Sequence, residues 1–134
     1  MTMGEIGAAL DGVLAAAQLP YPVAWEDVPY RPSTQQPYLD VTLSGYAEAP
    51  AGAGPTGTII GNGTYTIAVV WPSGAGRSLP AQLAAQIQAL YPRGLSFALA
   101  TGGTLIVIQS SPAPTIDDGG WVRLPVTIGW TANG

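Results

Sequence analysis

The residues of this chain that could take part in chemistry are few, and their types exclude the usual catalytic arrangements. The 134 residues include no histidine and no cysteine, and all four cations are arginines. Most protein general bases, thiolate nucleophiles and structural zinc sites depend on histidine, cysteine or lysine. The Ser, Thr and Tyr hydroxyl groups therefore lack a base that could activate them. We expect a protein that is not an enzyme and that binds no cofactor and no metal ion.

A glycine-rich segment from Ser73 to Ser78 (SGAGRS) is the candidate for phosphate binding. It leads from a predicted strand into a predicted helix, where backbone amides can cradle an anion. It lacks the Gly-Lys-Ser/Thr ending of a P-loop and the third glycine of a dinucleotide-binding motif. We interpret it as a flexible strand-to-helix turn.

The paired carboxylates Glu26-Asp27 and Asp117-Asp118 are the other candidates. Adjacent residues on a strand point to opposite faces, so neither pair is well placed for acid–base work. Asp117-Asp118 precedes two glycines and could hold a hard cation, but calcium needs six to eight oxygen ligands. The turn-forming tendency of Asp and Gly explains that segment better.

The charge composition excludes a dedicated nucleic-acid-binding protein and indicates assembly. Eight acids against four arginines leave a net charge of −4, with no cluster of cations that could neutralise phosphates. Only 9% of the residues are charged, against about 25% in typical globular proteins. Because a soluble monomer normally has a more charged surface, we expect other subunits to cover much of this one. No apolar run is long enough to span a membrane, and no basic segment precedes the first apolar stretch as in a signal peptide.

Hydrophobic periodicity predicts two helices. Apolar residues at intervals of three and four predict a first helix that begins near a Thr2–Glu5 capping box and ends before Pro20. Its apolar face comprises Ile6, Leu10, Val13, Leu14 and Ala17. A second helix follows Ser78 and ends at Pro92 and Gly94. Its predicted stripe is Leu79, Leu83, Ile87 and Leu90.

The rest of the chain reads as strands. We predict strands at Val23–Glu26, Tyr38–Tyr46, Thr58–Trp71, Leu95–Leu99, Thr104–Gln109 and Trp121–Thr131. Asn62-Gly63 is either a tight hairpin turn, which we favour, or a bulge in one long strand. Pro125 lacks a ladder donor, so the last strand should lie at an edge or carry a bulge. Residues 1–134 are thus predicted to form a single α+β domain, with a mixed, mainly antiparallel sheet and two helices packed on one face.

The segment 47–57 (AEAPAGAGPTG) has no periodicity and no large side chain, and we expect it to be a mobile loop unless another subunit covers it. Aromatic residues are enriched in interface cores, so we also expect at least one of the four tryptophans to contact another subunit. The candidate residues for a subunit or tube interface are Tyr46, Glu48, Pro50, Pro55, Trp71 and Arg77.

Five short motifs, in this order, resemble the phage tail terminators of the lambda minor-tail-protein type. They are P-x-A-W-E-(D/N)-x-x-Y-x-P at 22–32, P-Y-L-x-V at 37–41, G-x-Y-x-(I/V)-x-V-x-x-P-x-G-x-G at 63–76, (F/Y)-P-x-G at 91–94 and G-W-x-R-(V/L)-P-V-T-I at 120–128. The resemblance covers nearly the whole chain and is weakest over 47–57.

This resemblance implies an α+β fold and a homohexameric ring on the head-proximal end of the tail tube of a long-tailed phage (siphophage). The ring would stop tube polymerisation and form the head–tail joining surface. The implied partners are the tail tube protein and a head-closure or connector protein, with DNA only as passing cargo. The protein would be assembled in the host cytoplasm, would act in the virion and would have no membrane partner. No catalytic residue is implied.

Two alternatives stay open at this stage. The chain could be another head–tail connector or tail tube subunit, in which case its gene need not lie just ahead of the tube gene. It could also be a small binding module that uses its aromatic residues, and it should then be monomeric without assembly partners.

Overall fold

Two helices and seven strands make up the part of the chain that the computed structural model describes, which is residues 3–26, 28, 36–50, 59–74, 76, 78–100 and 102–133. In chain order they are α1 (Met3–Ala17), β1 (Val23–Ala24), β2 (Tyr38–Pro50), β3 (Ile59–Pro72), α2 (Ser78–Leu90), β4 (Ser96–Ala98), β5 (Thr104–Pro112), β6 (Ile116–Asp118) and β7 (Trp121–Asn133). The predicted α+β class is confirmed. Neither helix is long and apolar enough to cross a membrane.

The strands form one sheet in the order β1-β2-β3-β7-β5-β4, and β6 pairs with β7 beside the end of β5. The short β1 runs parallel to β2, and every other pairing is antiparallel. The sheet is therefore mixed and mainly antiparallel, as predicted.

One hydrophobic core lies between this sheet and the two helices. Alternate residues of the strands face it because side chains on a strand alternate between faces, and each fully buried large side chain contributes roughly 1.5–3 kcal/mol. The buried strand residues include Leu39, Val41, Tyr65, Ile67, Val69, Val126, Ile128 and Trp130, and the helices add Ile6, Leu10, Leu14, Leu83 and Ile87. Leu79 differs from the prediction, since it is 55% exposed and Pro80 is buried in its place.

The predicted hairpin turn at Asn62-Gly63 is wrong, because Ile59–Pro72 is a single strand. Asn62 pairs with Ala47 on one side and with Thr131 on the other. The irregularity lies instead in β2, where the register shifts between Ser44 and Ala47. Strand partners on both sides favour a continuous β3, and this tertiary pairing outweighs the local turn signal.

The predicted loop also begins too early. β2 continues to Pro50, and residues 47–50 pair with Ile59–Asn62. Backbone hydrogen bonds to β3, which is itself paired with β7, support this extension without any large side chain. Residues 51–57 of the predicted loop lie outside the described residues.

Pro125 lies in a central strand rather than at an edge or a bulge, which corrects the prediction. β7 has β3 on one side and both β5 and β6 on the other. The Pro125 carbonyl accepts a hydrogen bond of 2.7 Å from the Ala113 amide. Its pyrrolidine nitrogen faces the same side, between the last pair of β5 (Pro112 with Val126) and the first pair of β6 (Ile116 with Arg123). The missing N–H therefore breaks no ladder bond to β3.

Candidate functional site

The predicted interface residues lie in two separate places. Tyr46, Glu48 and Pro50 follow one another along the end of β2. Trp71 lies at the opposite end of β3 and is only 5% exposed. Pro55 and Arg77 lie outside the described residues. Three of the predicted interface residues therefore share one strand. The fourth described residue, Trp71, lies on another strand and belongs to the core.

Trp71 forms part of an apolar pocket of about 630 Å³ between the start of α2 and the adjoining ends of β3 and β7. Its ring packs against that of Tyr21, with centroids 5.6 Å apart. The described lining residues include no titratable side chain and are Val69, Trp71, Pro72, Gly74, Gly76, Pro80, Ala81, Thr115, Val122 and Leu124. Such a pocket can accept an apolar side chain, and its described lining residues offer no group for acid–base chemistry.

The glycine-rich segment that begins at Ser73 lies at the rim of this pocket, where the chain turns from β3 into α2. Gly74 and Gly76 have φ angles of 87° and 81°, which residues with a Cβ rarely adopt. The Ser73 amide donates to the Gly120 carbonyl at 2.9 Å, so it is not free to bind a phosphate. These contacts agree with the interpretation of a turn between strand and helix.

The second pair of carboxylates belongs to a hairpin. Asp117 and Asp118 end β6, and Gly119 and Gly120 make the turn into β7 with φ angles of 55° and 91°. Across the part of the chain that the structure describes, no group of three or more Asp or Glu residues could hold a metal ion.

A polar cluster connects α1 to the sheet and to Tyr91, the residue that follows α2. The Tyr65 hydroxyl donates to the Asp11 carboxylate, and the Tyr91 hydroxyl donates to the Leu10 carbonyl at 2.6 Å. Burial raises the pKa of the Asp11 carboxyl, and the nearby Glu26 charge raises it further, although the Tyr65 hydrogen bond opposes both. Burial also raises the pKa of both phenols. Both tyrosines therefore stay protonated and act as structural donors.

Glu26 covers part of the outer edge of β2. Its Oε2 accepts a hydrogen bond of 2.9 Å from the Leu43 amide, in place of a strand carbonyl. Just before it, the Pro22 carbonyl accepts a hydrogen bond of 2.9 Å from the Leu39 amide. Sequence reasoning treated Glu26 as half of a carboxylate pair and missed this role. The P-x-A-W-E motif is the signal that could have found it.

The sheet face opposite the helices carries an ion pair and an aromatic contact at one end. Arg123 on β7 donates to Asp40 on β2 at 2.8 Å, across β3. The rings of Tyr38 and Trp121 meet edge to face with centroids 5.7 Å apart. Both contacts join β2 to β7 across the strand that lies between them, so they stabilise the fold.

Comparisons with solved structures show that the fold is shared with other proteins. One solved structure has 24% sequence identity and a TM-score of 0.70, over 98% of this chain and 96% of its own. A chain of the virion of a native gene transfer agent particle has 17% identity and a TM-score of 0.62, over the same shares. At such identities the likeness shows a shared fold. No curated protein sequence matches the chain.

The match to a family model is more specific. The model is described as phage tail terminator protein, and it matches residues 5–130. This range contains both helices' buried faces, strands β1 to β6 and β7 as far as Trp130. The resemblance seen in the five sequence motifs is thereby confirmed: the chain belongs to the phage tail terminator family, a family of structural proteins of the phage tail.

Proposed function

We propose that this protein is a tail terminator that closes the head-proximal end of the tail tube as a homohexameric ring. The observation that carries the proposal is the family match over residues 5–130. The low charged fraction of 9% supports it, because a surface covered by neighbouring subunits needs few charges. The single domain spans residues 1–134, has no catalytic role and binds no cofactor.

The mechanism is geometric. Each subunit adds to the last ring of the tube and makes heterologous contacts with its neighbours around a cyclic axis. The completed ring offers no surface on which a further tube subunit can add, so polymerisation stops. Its free face then meets the head-closure or connector ring of a siphophage. Assembly takes place in the host cytoplasm, and the ring remains in the virion tail.

DNA passes through the ring as cargo. Six copies carry 6 × (−4) = −24 formal charges. An acidic assembly repels phosphates and lets the genome slide, whereas clustered positive charge would retain it. A lumen lined by arginines, with the acids outside, would contradict this part of the mechanism.

The interface residues proposed for subunit or tube contacts are Tyr46, Glu48, Pro50, Pro55, Trp71 and Arg77. Trp71 is buried within the subunit. We propose that a partner reaches it through the apolar pocket that it lines.

The test uses the tube protein of the same phage. Purified terminator is added to polymerising tubes, and tube length is measured by electron microscopy while native mass spectrometry counts the copies at the tube end. We expect shorter tubes that end in six copies. A variant that lacks Ala51 to Pro55 should lose head joining, whereas Gln86→Ala on the exposed side of α2 should behave as the unaltered protein. Unchanged tube length together with a monomeric protein would overturn the proposal.

A further inference from the structure

We infer that neighbouring subunits of the proposed ring join edge to edge, with residues 47–50 of β2 in one copy pairing with β4 (Ser96–Ala98) of the next. This inference rests on the proposed ring and names the surface that closes it. The partner is therefore a second copy of the chain, and the contact uses main-chain groups, of which Pro50 supplies a carbonyl acceptor but no N–H donor.

The first edge is the outer side of β2. β1 pairs with Leu39 and Asp40, and the Glu26 carboxylate accepts a hydrogen bond from the Leu43 amide. From Ser44 to Pro50, no residue that the structure describes pairs with this side. Free strand edges attract other strands, and folded proteins usually cover them. The second half of β2 is thus a strand edge that lacks a partner among the described residues.

The second edge is the outer side of β4, at the opposite end of the sheet. The Leu95 carbonyl accepts from the Val107 amide at 2.8 Å, and the Leu99 amide donates to the Gly103 carbonyl at 3.1 Å, so residues 95 and 99 turn their backbone groups inward. Because backbone groups alternate along a strand, those of Ser96 and Ala98 point outward. Within the described ranges, β5 is the only strand paired with β4.

The two edges lie at the same level of the sheet. Successive pairings define continuous rows that begin on β2 and end on β4. Two of these rows are Ala47–Asn62–Thr131–Ile106–Ser96 and Ala49–Ile60–Asn133–Thr104–Ala98. Four antiparallel steps separate the two edge strands, so β2 and β4 run in the same direction.

The shared rows set the kind of contact that edge pairing produces. A copy that adds in the register of these rows meets β4 of the next through residues 47–50 as a parallel pair, since β2 and β4 have the same direction within the subunit. The contact is heterologous, because two different edges meet, and a heterologous contact can close into a ring. Because β4 has three residues, each contact is short, and closure of the whole ring has to stabilise it.

Charge supports a second copy as the occupant. Glu48 is the only charged residue from 41 to 76, and Arg93 is the only charged residue from 78 to 116. Glu48 belongs to the β2 edge, and the exposed Arg93 lies three residues before β4. The two segments that the pairing would join therefore carry residues of opposite charge, and such complementarity favours association.

Disulfide cross-linking tests the contact, and the absence of native cysteine makes the readout clean. Two double variants place cysteines at both ends of one row: Ala49→Cys with Ala98→Cys, and Ala47→Cys with Ser96→Cys. A matched control combines Ala49→Cys with Gln86→Cys, since Gln86 is exposed on α2. Rings assembled on tube ends are oxidised and then separated under denaturing conditions, and native mass spectrometry counts the copies in each ring.

We expect the row variants to give a ladder in steps of one chain up to the full ring, and the control and the single variants to give dimers at most. Intact rings in which neither row variant cross-links would overturn the edge contact and leave the proposed ring standing. A ladder from the control equal to that from the row variants would overturn it as well. Absence of rings from the unaltered protein on tube ends would instead overturn the proposed function.

Discussion

The two halves of β2 differ in what lies along their outer side. In the first half, the amides of Leu39 and Leu43 donate to the Pro22 carbonyl and to Glu26, and the side chains of Leu39, Val41 and Leu43 are buried. In the second half, residues 47–50 pair with β3 on the inner side. No partner occurs on the outer side within the described part of the chain. Under the proposed edge contact, one strand therefore stabilises the subunit at one end and joins the next copy at the other.

This difference separates folding from assembly along a single element. A substitution in the covered half should change the free energy of unfolding of the subunit. A substitution in the open half should change association and leave the isolated subunit nearly as stable. The following predictions test the covered half and the contacts of the subunit around it, from the largest expected effect to the smallest.

Leu39→Ala should have the largest effect. Leu39 is fully buried, and removing such a side chain costs about 2–5 kcal/mol because it leaves a cavity. Thr42→Ala, at an exposed position of the same strand, is the matched control and should lie within about 0.5 kcal/mol of the unaltered protein. Denaturant unfolding of the monomer measures both. Equal losses of unfolding free energy in the two variants would show that burial of Leu39 in the core does not stabilise this half of the strand.

Glu26→Ala should reduce the free energy of unfolding by about 1 kcal/mol, because the Leu43 amide loses its acceptor. The uncovered edge of β2 should also promote self-association, which sedimentation velocity detects. Glu26→Gln keeps a carbonyl acceptor and should lose less. If both variants lose the same amount and neither associates more, the carboxylate does not cover the edge.

Asp11→Asn should alter the pH dependence of stability. The pKa of Asp11 is raised above 3.8 in the folded protein, so the folded state holds the proton more tightly than the unfolded state. The stabilisation from this group is complete below pH 3.8 and is lost as the pH rises through the raised pKa. Unfolding free energies of the unaltered protein, relative to Asp11→Asn, should therefore fall across that window.

Tyr65→Phe sharpens the same measurement. It removes the phenolic hydrogen bond that lowers the pKa of Asp11, so the window should extend to higher pH. A relative stability that is flat, or that rises with pH, would contradict the raised pKa.

The smallest effect is expected for the Asp40–Arg123 ion pair. Both side chains are about one third exposed, and pairs at such positions contribute about 0.2–1 kcal/mol. A double-mutant cycle with Asp40→Asn and Arg123→Gln isolates the pair, and its coupling should weaken as salt is added. A coupling that salt does not change would show that hydrogen-bond geometry, rather than charge, dominates this contact.

Much of the fold was predictable because it depends on local periodicity. Residues spaced by three and four predicted both helices, and the strands predicted at Thr58–Trp71 and Trp121–Thr131 overlap β3 and β7. Gly102 and Gly103 lie between the predicted strands Leu95–Leu99 and Thr104–Gln109, and they have φ angles of 98° and 93°. Membership of the terminator family was also visible, since five short motifs in a fixed order carry more information than any one of them.

The errors in the strands share one cause, which is the influence of strands distant in sequence. Asn62-Gly63 has the composition of a hairpin turn, yet partners on both sides keep β3 extended. Residues 47–50 have the composition of a loop, yet β3 holds them as a strand. Pro125 resembles an edge residue, yet the gap between β5 and β6 accommodates it.

The candidate surface shows the same division. From composition the sequence determined that charge is scarce and that histidine, cysteine and lysine are absent, and its five motifs indicated a structural protein of the phage tail. Only the tertiary structure decided that Trp71 is buried, that Glu26 covers part of a strand edge and that residues 47–50 lie level with β4. Periodicity reports the environment of a residue within its own helix or strand. Which strand lies at an edge of the sheet, and which residues share a row, is decided when strands far apart in sequence come into register. Each hydrogen bond between strands joins residues that no local sequence pattern relates.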